Sequence, residues 1–408
     1  MIAATATFAA LATDAAAQQA PVCDPTRGEA CSSTQVQRGD VTGRVDLDVS
    51  VDQLTVNNTA IGNVLVGGIE DASGSLRSNQ VMTGTARADT PLALAGEMEG
   101  AVGSATQARG SYLQVTTEGA TFALDAAQTA TGDSVTAQTT IAAPTGHVLG
   151  GGYAATAAVA NGVLMGGPSS SVTGRIDQSS RTTVFAATVA DIQYIPADMD
   201  LSSQALANAV QVTTTGASHQ DLAIRQANAP STVEAQTDVY VDNAWDLAGR
   251  ANAGANQALL HNAGGSLVAE TDQTNAGRVR ATTRVQTNLQ GQTVAQARAA
   301  ANEVVAGNND TYLELDNTQL NTGGVEASAL YTGVNGYDSY VGADAVGNSV
   351  TGYACSQCGG EVNIANTQTN SGNVTATATA TIGAGRAAVV GANAVGNSAT
   401  FYISRPGG

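Results

Sequence analysis

Residues suited to burial and residues suited to water alternate along this chain, and short recurring phrases carry the alternation. From Gln368 to Ala376 the text reads Gln-Thr-Asn-Ser-Gly-Asn-Val-Thr-Ala, with Gln, Asn, Gly, Val and Ala on even offsets. A strand sends successive side chains to opposite faces, so the pattern predicts amides and small apolar groups on one face and mostly hydroxyls on the other. Close echoes start at Gln273 and Gln319, weaker ones at Gln226, Gln178, Gln128, Gln80 and Gln35, with spacings of 45, 48, 50, 48, 47, 46 and 49 residues. Internal periods of this size mark a solenoid, a propeller or an array.

A second phrase keeps step with the first. Ala345-Val346-Gly347-Asn348-Ser349-Val350 returns as Ala394-Val395-Gly396-Asn397-Ser398-Ala399, and earlier counterparts centre on Asn302, Asn256, Asn208, Asn161, Ser104 and Asn63. Here too an inward amide precedes a small apolar residue on the same face. A buried amide without a partner costs about 1–3 kcal/mol, but in a stack each side-chain N–H can donate to the carbonyl oxygen of the adjacent layer. Gln273, Asn275, Gln319, Asn321, Gln368 and Asn370, together with Asn256, Asn302, Asn348 and Asn397, are therefore expected to form an inward amide ladder. The glycine of the first phrase would sit where two walls approach closely.

These patterns predict an all-β chain: a β-solenoid of about eight units of roughly 47 residues, each with two strand phrases. Taking each phrase as one coil gives sixteen layers and a rod of roughly 75 Å. A propeller would need bulky cores between its blades, and one Trp and four Phe do not supply them. Helix is expected at most as a turn over Ala297 to Ala301.

Composition narrows the partners. Acidic residues number 34, the sixteen basic residues are all Arg, and the net charge of −18 disfavours nucleic acid and anionic lipid. Residues 1–17 read as a secretory signal peptide, an apolar stretch ending in Ala15-Ala16-Ala17, although no basic residue precedes it and Met1 need not be the true start. Residues 18–34 read as an N-terminal cap with a Cys23–Cys31 loop, and residues 35–408 as the repeat array. Ala20 stands three places before Cys23, where lipoprotein signals use a larger aliphatic residue. In an exported chain the pairs Cys23 with Cys31 and Cys355 with Cys358 are expected to be local disulfides, the second stapling an insertion peculiar to its unit.

Candidate chemistry is sparse. His147, His219 and His261 are scattered, with no ligand or triad spacing. Asp238, Asp242 and Asp246 near Tyr240 and Trp245 form the one acidic run to weigh, read first as a solvated acidic patch, with a calcium site or the carboxylates of a polysaccharide lyase or hydrolase as alternatives. Calcium takes roughly six to eight oxygens and the run offers only part of that shell, so no cofactor is expected. Five tyrosines, Tyr312, Tyr331, Tyr337, Tyr340 and Tyr353, crowd one stretch of a chain otherwise poor in aromatics. They are candidates for glycan or protein contact, or else cover apolar edges of the coil.

The Gln-x-Asn-x-Gly and Ala-Val-Gly-Asn-Ser phrases resemble those of surface β-solenoids and curli-like fibre subunits, whose units are about half as long. With the export signal and the cysteine pairs, the whole chain more specifically resembles the holdfast anchor (attachment) protein D family of stalked alphaproteobacteria. That resemblance implies a cell-surface protein associated with the outer membrane and exported with the help of a pore-forming lipoprotein. It would attach an adhesive polysaccharide holdfast to the cell pole alongside other surface anchor proteins, without catalysis. A polysaccharide-active enzyme and a non-enzymatic secreted passenger adhesin are the competing readings. The inward pattern continues to Phe401, so the C-terminal edge is expected to be open to another protein or to another copy end to end.

Overall fold

The computed structural model describes residues 30–355 and 361–404. These residues form one large sheet of 21 strands whose pairings are parallel throughout, unlike the antiparallel blades of a propeller. The expected signal peptide over residues 1–17, Cys23 and Cys358 lie outside the described residues.

Register identifies the stacking step. Gln226 lies beside Gln273, Gln273 beside Gln319 and Gln319 beside Gln368. Thr237, Thr283 and Ala329 form a second row. Each segment thus stacks on the segment one whole unit away, and the expectation of one coil per phrase is corrected: a coil takes both phrases. The reason is visible in the unit running from Val279 to Asn321. It has four walls, not two. Val279, Ala281 and Val285 face Ala295, Ala297 and Ala299 across one apolar cluster. Val304 and Ala306 face Leu313 and Leu315 across another. A chain so rich in small residues fills two narrow lobes where it could not fill one wide one.

The second phrase forms the bend between lobes. Ala299 and Ala301 face the first cluster, and Asn302 and Val304 face the second, so two consecutive residues point inward. The register passes over this position, pairing Ala300 with Val346 and Asn302 with Asn348. Small residues stand there: Ala255, Ala301 and Gly347. Aligning the row also corrects one member. Ser111, not Ser104, lies beside Asn161 and Asn63, while Ser104 lies beside Ala154. The expected helical turn over 297–301 is a strand within Arg278–Asn308, because alternate alanines are buried and both neighbouring layers pair with the backbone, which outweighs intrinsic propensity.

The first phrase is not one straight strand either. It straddles a corner between Tyr312–Asn321 and the strand beginning at Val325, and inward parity survives the corner because Asn321, Gly323 and Val325 all face the interior. Its glycine answers a stacking constraint, not the approach of facing walls. A Cβ on Gly323 would overlap the carbonyl oxygen of Gly277 in the layer below, and one on Gly372 would meet that of Gly323. Adjacent Gly324 has no atom near its Cβ position. Gly323→Ala is therefore expected to cost about 1–3 kcal/mol, and Gly324→Ala to stay within about 0.5 kcal/mol. Thermal unfolding of the two variants beside the parent checks the contrast.

Candidate functional site

Between the two lobes the walls meet at a polar waist. On one wall the inward residues are the glutamines of the first phrase, on the other the asparagines of the second. Gln273 Nε2 donates to Gln226 Oε1 at 2.7 Å and across the waist to the Glu303 carbonyl at 3.0 Å. Gln319 does the same with Gln273 Oε1 at 2.8 Å and the Ser349 carbonyl at 3.0 Å. Gln368 repeats the arrangement with Gln319 Oε1 and the Ser398 carbonyl. From the opposite wall Asn256 Nδ2 donates to Asn302 Oδ1 at 2.8 Å and to the Thr274 carbonyl at 2.9 Å. Asn302 reaches Asn348 Oδ1 and the Leu320 carbonyl, and Asn348 reaches Asn397 Oδ1 and the Thr369 carbonyl. Each amide thus bonds along the stack with one N–H and across it with the other. The glutamine row donates toward lower residue numbers and the asparagine row toward higher ones.

Asn275 and Asn321 form a third row at the corner. Asn275 Oδ1 accepts from Asn228 Nδ2 at 2.8 Å, and Asn275 Nδ2 donates to Asn321 Oδ1 at 2.8 Å and to the Gly277 carbonyl at 3.0 Å. Asn321 passes the pattern to Asn370 Oδ1 and the Gly323 carbonyl. The one imperfect step in the asparagine row is Ser111. Its short side chain accepts from Asn63 but leaves Asn161 Oδ1 buried without a donor.

The tyrosines that crowd together in sequence separate in space. Tyr331 is buried, its hydroxyl bonded to Thr287 and Gln290. Tyr353 is half-buried against His261 Nδ1 at 2.9 Å, and burial pushes the Tyr353 phenol up and the His261 imidazole down. Tyr312 donates to Glu314 at 2.6 Å, the first of the contacts that raise its pKa. Tyr337 and Tyr340 remain exposed.

Tyr337 belongs to an outer groove of about 500 Å³ at the first bend of four successive units, lined by Tyr194, Asn243, Trp245, Leu289, Asn335 and neighbouring backbone. Trp245 is 56% exposed, Tyr337 54% and Leu289 51%. The Trp245 and Tyr337 rings meet edge to face with centroids 6.4 Å apart, bridging Gly291, whose missing side chain leaves room for the indole. Arg386 lies 5.8 Å above the Tyr337 ring and donates to Asp338, whose carboxyl it holds below its ordinary range. The sequence reading missed Trp245, Leu289, Asn243 and Asn335 as members of one site. The only sequence trace of the site is the repeat spacing, which sets Tyr194, Asn243, Leu289 and Asn335 on one register row.

The acidic run does not gather into a cation shell. Asp238 pairs with Arg284 at 3.2 Å, Asp242 accepts from Asn288, and Asp246 accepts from the Gln292 backbone N–H at 3.2 Å. Among the described residues no three His, Cys, Asp or Glu side chains converge as metal ligands. Cys31 is disulfide-bonded, and Cys355 pairs through its backbone with Ser404.

A family model described as holdfast attachment protein D, HfaD, matches residues 48–324. No curated protein and no solved structure matches the chain significantly.

Two predictions test the waist and the corner. Replacing Asn275 and Asn321 together by Leu is expected to cost about 2–6 kcal/mol, since each removal strands neighbouring amides and adds bulk. The same changes at outward Thr274 and Thr322 are expected to cost under about 1 kcal/mol, and denaturant titration separates the pairs. Ser111→Asn is expected to stabilise the chain by about 1 kcal/mol by supplying the donor that Asn161 lacks, seen as a raised Tm.

Proposed function

The chain belongs to the holdfast attachment protein D family, and on that premise we propose that it is an exported surface anchor, a solenoid of eight roughly 47-residue units that fastens an adhesive polysaccharide to the cell envelope. The family match over residues 48–324 carries this reading. The family is one of attachment proteins, and the role proposed here is mechanical, without catalysis. Eight layers at about 4.8 Å make a body roughly 40 Å long, half the length expected from one layer per phrase. Such a stack suits load, because every layer is joined to the next by backbone ladders on all four walls.

Residues 1–17 would direct export and be removed, and the cap expected over residues 18–34 would run into the first layer, whose strand Ala30–Gln37 pairs with Ser75–Met82; the stack would continue to residue 408. Partners on this reading are the holdfast polysaccharide, other surface anchor proteins and a secretion lipoprotein of the outer membrane. The pairs Cys23 with Cys31 and Cys355 with Cys358 would brace the cap and the insertion.

Among the described residues, the strands Glu361–Asn370, Val374–Ala384 and Ala387–Ser404 are paired along one edge only. Val389, Val390, Phe401 and Ile403 are exposed there. This edge would accept a further layer from another surface protein or from a second copy by strand addition. Deleting residues 397–408 is expected to abolish holdfast retention on the cell while circular dichroism of the purified truncated chain stays β-rich. A truncated protein that reached the surface and still held its adhesive would remove the edge from the mechanism.

A further inference from the structure

We propose that the outer groove bearing Trp245 and Tyr337 is a binding site for an uncharged glycan chain, held by ring stacking and by the Asn243 and Asn335 amides. The proposal rests on the anchor reading for its biological sense but not for its chemistry. Four observations converge. The aromatic surface is exposed and held in an angle, one face backed by the edge of the other ring. Sugar rings present C–H faces that pack on aromatic faces, with hydroxyls around their edges that need hydrogen bonds.

Those bonds have candidates in place. Asn243 and Asn335 flank Leu289 in one row, and neither side-chain amide is engaged within the described protein. An amide both donates and accepts, which suits a hydroxyl. Gln290 beside them is occupied by Thr287, Thr293 and Ser339, so the two asparagines are the groups left to read a ligand.

Charge selects against an anionic chain. Arg386, the cation at the groove, is already bonded to Asp338, and the chain carries a net charge of −18. Length favours a polymer over a single sugar. The groove takes one contribution from each of four successive units, so it runs along the stack for about 14 Å at about 4.8 Å per layer. That step is comparable with the rise of one unit in an extended glycan.

Trp245 is the sole tryptophan, so its fluorescence reports this groove directly. The full chain is titrated with cellohexaose, chitohexaose and maltohexaose, with polygalacturonate as the anionic comparison. A saturable change in emission is expected with at least one neutral hexaose, with much weaker response to its monosaccharide and to polygalacturonate. Tyr337→Ala is expected to weaken binding about tenfold, the loss of one aromatic contact. Asn335→Ala is expected to weaken it several-fold, and Tyr153→Ala, exposed elsewhere, not at all. Trp245→Ala is followed by retardation in native gels cast with the soluble polysaccharide, and its circular dichroism checks its fold. The proposal is overturned if no neutral hexaose at about 10 mM changes emission or mobility, if polygalacturonate binds as well, or if folded Trp245→Ala binds like the parent. Emission that responds only to protein concentration would also overturn it, assigning the groove to contacts between copies. Cells carrying Tyr337→Ala separate this idea from the anchor reading. Lost glycan binding with retained holdfast leaves the groove a glycan site and removes it from anchoring; absent glycan binding by the parent with lost attachment on truncation removes the groove and leaves the anchor.

Discussion

A side-chain amide has two N–H groups and one carbonyl oxygen, and the waist of this protein uses all three. One N–H runs along the stack to the next amide, the other crosses to the backbone of the facing wall, and the oxygen accepts from the layer on its other side. Two thin walls of alanine and valine would bury little surface if they met directly, about 0.8 kcal/mol for each buried methylene-sized group. The amides join the walls without needing bulk there and leave each lobe narrow enough for small residues to fill. A single amide is worth only about 1 kcal/mol net, but an orphan costs more. The arrangement therefore penalises error more than it rewards correctness, which is the property a register device requires.

The donor directions add a second constraint. Glutamines donate toward lower numbers and asparagines toward higher, so neither row can reverse locally without setting carbonyl against carbonyl. The first lobe uses hydroxyls in the same way in its earlier units, where Thr139, Thr156 and Thr188 bond in sequence between walls. Later units place Ala251, Ala297 and Ala343 in the corresponding row, and the facing Thr237 and Thr283 donate instead to the Arg250 and Gln296 carbonyls. The lobe thus tolerates exchange between polar and apolar contacts, whereas every unit keeps its glutamine at the waist.

Legibility in the sequence followed this hierarchy. Strand parity and the even-offset amides were readable because each residue type there answers to one local rule, alternation, repeated every 45 to 50 residues. The coil length was not readable from parity alone. Two inward phrases per unit fit two small coils or one large coil equally well, and the register that sets Gln273 beside Gln319, one whole unit away, tells them apart. The corner at Gly323 was read as a close approach of walls because a glycine shows that space is short without showing from which side. The groove was harder still. Trp245 and Tyr337 lie in units two steps apart, and neither an acidic run nor a tyrosine cluster, each a feature of contiguous sequence, points at a surface made from one position in each of several units.

The same hierarchy explains how a ligand surface can arise on such a scaffold. Register is determined on the inside by amides that tolerate little change, so an outward residue need not help to specify the fold. At the first bend one row holds Tyr194, Asn243, Leu289 and Asn335 in successive layers, three different chemistries at four equivalent backbone positions. The neighbouring position alternates a large ring with none, Trp245 then Gly291 then Tyr337, and that alternation opens the angle between the rings. Had each unit carried an aromatic there, the rings would stack on one another and leave only their outer edges to a partner. A repeat that is strict within and degenerate without can thus shape a groove by omitting a side chain in a single layer, while the ladders beneath remain continuous.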